Sequence, residues 1–499
     1  HTGGRAARRP PRGGGTPVPA GRYTRVVIGA GTAGLVTAAG AAGLGARVAL
    51  VERHLMGGDC LNVGCVPSKA LLRSARGAAD ARRGAEFGLA APAAAVDFPR
   101  VMERLRRLRA SIAPHDSAVR FRELGVDVFL GDARFADAET VEVAGARLRF
   151  ARAVIATGAR ALVPDVSGLA AAQPLTNESV FNLTELPPRL AVIGGGPIGC
   201  ELAQAFRRLG AQRALLHNKA HGLDREDADA AAVVQEALVH DGVALVLDAR
   251  LERVAAEPDG KTPLYETPAG PGRVTVDDIL VAAGRIPNVT GLNLEGVGVA
   301  FDPRAGVPVD DFLRTTTPRV CACGDVCLRW KFTHAADFAA RLVIQNALFA
   351  FGPFGRRRLS SLVMPWATYT DPELAHVGLT AHEAAARGLA LDTYTVPFAA
   401  VDRAITDGET AGFARVHTVR GGDRILGATI VGREAGELIS EITLAMNAGL
   451  GLGRIAAAIP PYPTRAEALR KLGDQYNRTR LTPRAQAILA AIARWRRRG

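Results

Sequence analysis

The chain has 499 residues, 48% of them hydrophobic, and a formal net charge of +13. This length allows three or more domains, and no apolar run approaches the roughly twenty residues of a membrane-spanning helix. Its six cysteines are too few for a disulfide scaffold. Residues 1–25 carry six arginines, residues 476–499 carry seven, and neither stretch has an acid, so the two tails hold the whole positive excess. Nucleic acid is therefore not an expected partner.

Residues 1–22 are rich in Gly, Pro, Ala and Arg and carry no acidic residue. Such a segment cannot bury an apolar face, and we predict a disordered basic tail. The lack of acids is also typical of an organelle-targeting segment, whereas the lack of serines and of an amphipathic pattern argues against one.

A nucleotide-binding fingerprint follows the apolar strand R-V-V-I. It reads GAGTAG and places Gly29, Gly31 and Gly34 in GxGxxG spacing, and Glu52 ends the next strand. The glycines permit a tight turn and close approach of a pyrophosphate, while an acid about twenty residues on accepts from a ribose hydroxyl. Strand, glycines, helix and acid together predict a dinucleotide site, which we assign to FAD.

Two cysteines lie just beyond this fingerprint in the run GGDCLNVGCVPSK, at Cys60 and Cys65. A disulfide requires their Cα atoms within about 7 Å, and the glycines around them loosen the backbone. Pro67 suits the first turn of a helix starting near Ser68, and a helix N-terminus favours a thiolate. A structural disulfide or two buried thiols would fit the same spacing, but the neighbouring fingerprint favours a redox dithiol beside a flavin.

A second fingerprint, GGGPIG, supplies Gly194, Gly196 and Gly199 after the strand L-A-V-I. Two such units imply two dinucleotides.

At this second site the expected ribose acid is missing. The following strand ends in His217 and Asn218, with Lys219 next and Arg225 nearby. Basic groups accommodate the extra phosphate of NADP, so we predict NADPH rather than NADH. Lys219 and Arg225 are also open to a second interpretation, as solvated surface charges.

The order of further motifs resembles the class I pyridine nucleotide-disulfide oxidoreductases, which include glutathione reductase, dihydrolipoamide dehydrogenase and mercuric reductase. After the two fingerprints and the cysteine run come VAAGRIPN at 281–288 and CGDV at 323–326. FTHAADF at 332–338, YTDPELAHVG at 369–378 and YPTRAEAL at 462–469 are most similar to mercuric reductase. The resemblance covers about residues 23–480.

The resemblance implies a role for each matching residue. Cys60 would exchange with the outside substrate, and Cys65 would face the flavin and form the charge-transfer contact. Lys69 would pair with Glu201 close to the flavin ring, as burial of two opposite charges also requires. The remaining cofactor contacts implied are Thr157, Gly158, Asp325 and Arg285.

One position departs from the disulfide-reducing members of the family. They carry a histidine, followed five residues later by a glutamate, that shuttles protons from the partner subunit, whereas this chain has Tyr462 and Glu467. A phenol, with a reference pKa of about 10 against about 6.5 for imidazole, is a poor proton shuttle at neutral pH. Mercuric reductases share the tyrosine, and thiolates select soft metals. The amino-terminal C-x-x-C domain and the carboxyl-terminal vicinal cysteines of those enzymes are not found in these 499 residues, so the acceptor stays open.

The expected fold is α/β, with two Rossmann-like dinucleotide-binding domains followed by an α/β dimerisation domain. The FAD domain would be split over residues 23–174 and 285–360, with the NAD(P)H domain at 175–284 between them. Residues 361–476 would form the dimerisation domain and 477–499 a basic helix. The resemblance implies a homodimer in which Tyr462 and Glu467 reach the dithiol of the neighbouring subunit. We also expect a cis peptide before Pro463.

The predicted activity is electron transfer from NADPH through FAD to the Cys60–Cys65 pair and on to a thiol-reactive acceptor, a metal ion such as Hg(II) or a disulfide. The alternatives are a diaphorase that reduces quinones directly from FAD and a dihydrolipoamide dehydrogenase-like enzyme. Thiol exchange chemistry belongs in a reducing compartment, the cytoplasm or an organelle matrix.

After Pro483, large apolar residues recur at helical spacing among alanines and arginines. They are Ile488, Leu489, Ile492 and Trp495. This pattern suits peripheral contact with an anionic membrane, and equally a helix docked on the body of the protein.

Overall fold

The computed structural model describes residues 21–90, 95–350 and 354–497, without the side chain of Arg213. The predicted tail at 1–22 lies almost wholly outside these residues. The helices are α1 Thr32–Gly43, α2 Gly58–Asn62, α3 Cys65–Arg82, α4 Phe98–Ile112, α5 Ala118–Glu123, α6 Asn177–Val180, α7 Pro197–Arg208, α8 Ala228–His240, α9 Thr333–Leu348, α10 Ala381–Ala386, α11 Asp402–Thr406, α12 Ala435–Asn447, α13 Leu452–Ala456, α14 Glu467–Thr479 and α15 Pro483–Arg496.

The strands follow the same chain order. They are β1 Tyr23–Ile28, β2 Val48–Glu52, β3 Val126–Leu130, β4 Ala133–Asp137, β5 Thr140–Val143, β6 Ala146–Ile155, β7 Ala159–Ala161, β8 Arg189–Ile193, β9 Gln212–Leu216, β10 Ala244–Val246, β11 Arg250–Glu257, β12 Gly260–Thr267, β13 Gly270–Arg273, β14 Asp278–Val281, β15 Arg285–Pro287, β16 Val320–Ala322, β17 Pro365–Thr368, β18 Glu373–Gly378, β19 Leu391–Pro397, β20 Phe413–Val419 and β21 Ile425–Gly432.

The chain divides into two compact units. The first combines residues 1–62, 110–160 and 286–360, and the second contains the remainder. Residues 286–360 therefore group with the first fingerprint, and residues 63–109 and 161–285 group with the second.

The first unit is built on one sheet with the parallel order β3-β2-β1-β6, and β16 also pairs with β6 in parallel. β2 is an almost continuous aliphatic run, and β1 ends in Val26, Val27 and Ile28, because a parallel sheet is covered on both faces. β4 and β5 add an antiparallel extension to the first half of β6. Helix α1 lies so close to α9 that a Cβ added at Gly40 would come within 2.5 Å of Cδ1 of Ile344.

The second unit contains a parallel sheet in the order β10-β9-β8-β14, an antiparallel β11-β12-β13 sheet, and a five-stranded antiparallel sheet in the order β17-β18-β21-β20-β19. The parallel sheet carries the second fingerprint at the β8–α7 turn. Helices α12 and α14 bury Ile439, Ile442, Leu469 and Leu472 in the core of the five-stranded sheet. The predicted fold class, two Rossmann-like sheets and a further α/β region, is confirmed.

Helix α15 lies at the end of the described chain and has no buried residue. Among the described residues, no helix is both long and apolar enough to cross a membrane.

Candidate functional site

Cys60 lies in the short helix α2, which packs against the first fingerprint. Gly57 and Gly58 have φ angles of +92° and +57°, which favour glycine, and the Gly57 N–H donates to the carbonyl of Ala30 over 2.9 Å. A Cβ added to Gly58 would lie 2.5 Å from the Cα of Gly31. The glycines around the cysteine therefore let α2 and the half-buried Cys60 lie directly against the nucleotide-binding turn.

Cys65 is exposed and is the first residue of the 18-residue helix α3. The predicted start near Ser68 is wrong by three residues. The first N–H groups of a helix need no intrahelical acceptor, so Pro67 is tolerated as the third helical residue as well as the first. The earlier start places the sulfur at the positive end of the helix dipole, which stabilises a thiolate.

Lys69 lies one helical turn after Cys65 and forms an ion pair with Glu201. Its Nζ is 2.8 Å from Oε2 of Glu201, and the Tyr369 N–H donates to Oε1 of the same carboxylate over 2.9 Å. The Nζ also lies 4.4 Å from the centroid of the Tyr369 ring. Burial alone would lower the pKa of Lys69, but the charges of Glu201 and, more weakly, Cys65 raise it above its usual value. The structure thus brings Lys69 and Glu201 together, as the resemblance implies, and keeps the ammonium charged.

The first fingerprint has the geometry that a bound dinucleotide needs. Gly29 has a φ of +104°, and a Cβ on Gly34 would collide with the carbonyl of Gly29. Glu52 closes the turn, because its Oε2 accepts the Ala30 N–H over 2.7 Å. A side chain at either glycine would clash with the backbone of this tight turn, and such a turn is the one that admits the pyrophosphate of a dinucleotide such as FAD.

The predicted contacts at Thr157, Gly158 and Asp325 lie in the same unit. Oγ1 of Thr157 donates to the carbonyl of Asn288 over 2.7 Å, and the Asn288 N–H donates to the Gly158 carbonyl over 3.0 Å. The Asp325 carbonyl accepts from Nζ of Lys331 over 2.8 Å. Asn288 therefore holds the 157–158 turn in place, a role that the sequence analysis missed although the residue lies in the quoted VAAGRIPN run.

The second fingerprint repeats this arrangement with one change. Gly194 has a φ of +113°, and a Cβ on Gly199 would collide with the Gly194 carbonyl. The turn is closed by His217, whose Nδ1 accepts the Gly195 N–H over 3.1 Å. A Cβ added to Gly196 would have no atom within 4 Å. There is therefore open space beside this glycine, where a pyrophosphate would approach.

His217 is buried and electrically neutral. Burial lowers its pKa and outweighs the charge of Asp224, which acts in the opposite direction. Because Nδ1 is the acceptor, the proton lies on Nε2, which is buried without a hydrogen-bond partner in the described structure and 3.9 Å from Oδ1 of Asp224. The sequence showed only that an acid was missing there; the structure shows a buried donor in its place.

Lys219 and Arg225 are both exposed, while Arg285, the first residue of β15, is half-buried. The exposure of the two cations is compatible with either interpretation of these charges, phosphate recognition or solvation.

Tyr462 and Glu467 line a cleft of about 270 Å³ together with residues 456–461 and Arg470. The Tyr462 phenol donates to Oδ2 of Asp402 over 2.8 Å, and this hydrogen bond raises the pKa of Tyr462 above its usual value. Glu467 starts α14, and its Oε2 is buried without a partner among the described residues. The peptide bond between Tyr462 and Pro463 is cis, as predicted. The structure therefore brings Tyr462 together with Asp402, which the sequence analysis missed because the two residues are sixty positions apart.

Two family descriptions match the chain. "Pyridine nucleotide-disulphide oxidoreductase" matches residues 23–340, and the dimerisation domain of the same name matches 364–472.

Individual proteins are also similar to this chain. Mercuric reductase from Bacillus cereus is 34% identical over 90% of this chain and 70% of its own length. Dihydrolipoyl dehydrogenase from Staphylococcus aureus is 31% identical over 90% of this chain and 96% of its own length. The HOCl-induced flavoprotein disulfide reductase RclA from Escherichia coli superposes with a TM-score of 0.80 at 28% identity, over 91% of this chain and 99% of its own. RclA has also been solved as a Cu(II) complex.

Proposed function

Because the chain belongs to the pyridine nucleotide-disulphide oxidoreductase family, we propose that it carries electrons from NADPH, by way of FAD, to a Cys60–Cys65 disulfide. The resulting dithiol reduces a thiol-reactive acceptor, and a soft metal ion such as Hg(II) is the acceptor that the residues favour. The ion pair of Lys69 with Glu201, one turn beyond Cys65, is the observation that carries this proposal.

The first unit provides the FAD site. Gly29, Gly31 and Gly34 would admit the pyrophosphate, Glu52 would accept from a ribose hydroxyl, and the Thr157–Gly158 turn and Asp325 would hold the rest of the cofactor. FAD, when bound, supplies two-electron transfer between a nicotinamide and a disulfide.

The second fingerprint provides the nicotinamide nucleotide site, and its hydrogen-bonding groups favour NADPH. His217 takes the strand-end position at which NAD-dependent sites carry an acid, and its Nε2 is a buried donor. A donor pairs with a phosphate or ribose oxygen, and Lys219 adds positive charge.

The two cysteines have different roles in the proposed reaction. Cys65, at the N-terminus of α3 and beside the charged Lys69, is the sulfur that is stable as a thiolate when the disulfide opens. Cys60 then attacks a disulfide substrate or binds a metal ion. One NADPH and one proton convert the disulfide to two thiols, and oxidation of the dithiol by the acceptor restores it.

The acceptor preference follows from Tyr462. Its pKa, already high for a proton shuttle, is raised further by Asp402, so the phenol stays protonated at neutral pH. Thiol–disulfide exchange needs a group that gains and loses protons, whereas thiolate binding of a soft metal replaces protonation. The similarity to mercuric reductase and the Cu(II) complex of RclA support the same choice.

Anaerobic addition of NADPH to the purified flavoprotein tests the dithiol. We expect a long-wavelength thiolate-to-flavin absorption band in the wild type, no band in Cys65→Ala, and a band already before reduction in Cys60→Ser. Equal flavin content in the three proteins excludes a folding defect. A wild type without the band would contradict the proposal.

Measuring turnover with different acceptors distinguishes the proposed thiol-dependent mechanism from that of a diaphorase. Hg(II)- or disulfide-dependent NADPH oxidation should vanish in Cys60→Ser, while quinone reduction, which needs no thiol, should survive. If Cys60→Ser keeps all of its metal- and disulfide-dependent activity, the enzyme is a diaphorase.

A further inference from the structure

Helix α15 presents large apolar side chains that the rest of the described chain leaves uncovered. Ile488, Leu489, Ile492 and Trp495 are 61%, 53%, 45% and 75% exposed. A helix of 14 residues is marginal in water and normally depends on packing an apolar face against a partner. The predicted alternative of a helix docked on its own body is therefore not what the structure shows.

The four side chains lie on one side of the helix. At 100° per residue, the positions i, i+1, i+4 and i+7 starting from Ile488 fall within an arc of about 120°. Three aliphatic side chains and one indole thus form one apolar strip, with Arg496 on the same side at its carboxyl-terminal end.

The charge around this strip has one sign. Arg484, Arg494, Arg496 and Arg497 are all exposed, and residues 476–499 contain no acid. Arginines beside an apolar strip with a tryptophan match a surface that offers both anionic groups and hydrocarbon.

We propose that α15 binds the surface of a membrane rich in anionic lipid, with the Ile488–Trp495 strip inserted below the headgroups. A 14-residue helix is about 21 Å long, less than the roughly 30 Å of a bilayer core, so it lies along the surface. The indole is suited to the headgroup boundary, and the arginine stems extend along it.

Two other possible partners of α15, a nucleic acid and a second copy of the same helix, match its surface less well. A nucleic acid would use the arginines but leave the apolar strip in water. A second copy of the same helix would cover the strip but bring two acid-free, arginine-rich segments together. The family match also ends at residue 472, before α15 begins, so the dimerisation region is matched without this helix.

Vesicle flotation with the full-length protein tests the proposal. We expect binding to phosphatidylcholine vesicles containing phosphatidylglycerol, and binding on the order of tenfold or more weaker to pure phosphatidylcholine, since an anionic surface attracts the exposed arginines of α15. High salt should release the protein. Insertion should shift the tryptophan emission to shorter wavelength, and the shift should be lost in Trp495→Phe.

The double variant Ile488→Asn/Ile492→Asn should lose vesicle binding but keep NADPH oxidation. Val239→Asn, at another exposed aliphatic residue on a helix, should bind vesicles like the wild type.

Three outcomes would overturn the proposal. The first is equal binding to neutral and anionic vesicles. The second is a change of oligomeric mass in the double variant, which would identify a second copy as the occupant. The third is retention of a DNA or RNA duplex at physiological salt without vesicle binding.

Discussion

Each glycine-rich turn of this chain is closed by the side chain at the end of the next strand. In the first turn the backbone N–H of Ala30 donates to Glu52, and in the second the N–H of Gly195 donates to His217. Both side chains accept a backbone N–H of the turn, but they differ in the groups that they still offer to a ligand. Glu52 offers carboxylate acceptors, whereas His217 offers an N–H donor, so the two turns should prefer different ribose substituents.

His217→Glu should shift the cofactor preference toward NADH. A carboxylate would accept from a ribose hydroxyl and repel a 2′-phosphate, and one charge-assisted hydrogen bond, worth about 1.5–3 kcal/mol, corresponds to a change of tenfold or more. The ratio of kcat/KM for NADPH to that for NADH measures the effect. His217→Gln, which can still accept from Gly195 without a negative charge, should retain the preference of the wild type. An unchanged ratio in His217→Glu would show that this residue does not meet the 2′-group.

Tyr369 should position the ammonium of Lys69 through its ring. The contact is a cation–π pair at 4.4 Å, and at a partly exposed site it is worth about 0.5–1 kcal/mol. Tyr369→Leu should therefore slow reduction of the flavoprotein by NADPH by about two- to fivefold and weaken the thiolate absorption band, while Tyr369→Phe should match the wild type. Stopped-flow absorbance separates the variants. Equal defects in both would assign the role to the hydroxyl.

At the scale of elements, the loop before α8 meets strand β17 through one buried carboxyl group. Nε1 of Trp366 donates to Oε1 of Glu226 over 2.5 Å, and Oε2 of Glu226 is buried without a partner among the described residues. Burial raises the pKa of Glu226 to about 7. This carboxyl group therefore ionises with difficulty in the folded protein, and its ionisation opposes the packing of the two elements.

The contribution of Glu226 to stability should fall as the pH rises from about 4.5 to 7, because over this range its carboxyl group is protonated when the protein is folded and ionised when it is unfolded. The shift corresponds to a few kcal/mol at most, at about 1.4 kcal/mol per pKa unit. Glu226→Gln should therefore raise Tm at pH 8 and have little effect at pH 5. Thermal unfolding at both pH values measures this, with Glu236→Gln on the exposed side of α8 as the control. A Tm gain of equal size at both pH values would contradict the assignment.

For the whole molecule, the match to the dimerisation domain suggests a homodimer. The cleft with Tyr462 and Glu467 belongs to that region, and we propose that it completes the dithiol site of the partner subunit. An active site built from two subunits can be restored by mixing defective ones.

Mixed dimers should recover activity that neither parent has. Cys60→Ser and Tyr462→Ala should each lose metal-dependent turnover, and after unfolding and refolding together about a quarter of the sites should be intact. Refolding each variant alone is the control. No recovery in verified mixed dimers would place Tyr462 in the same subunit as the dithiol it serves, or outside the reaction.

Much of this organisation could be predicted because local sequence constrains it strongly. The fingerprints combine strand, glycine and helix within a few residues, and the family resemblance already implied the pairing of Lys69 with Glu201. Tyr369, Asp402 and the donor role of His217 could not be predicted, since they depend on which distant loops meet or on which ring nitrogen faces the backbone. Whether the rest of the chain covers the apolar strip on α15 also could not be predicted, because helical periodicity does not show what a helix packs against.

The single turn of α3 between Cys65 and Lys69 places the Cα atoms of both residues on one helix. Any tilt or shift of the helix moves both residues together, so their mutual spacing survives motions that would separate residues on different loops. A one-residue insertion in this turn would rotate the cation about 100° away from the thiol and uncouple them without removing either group.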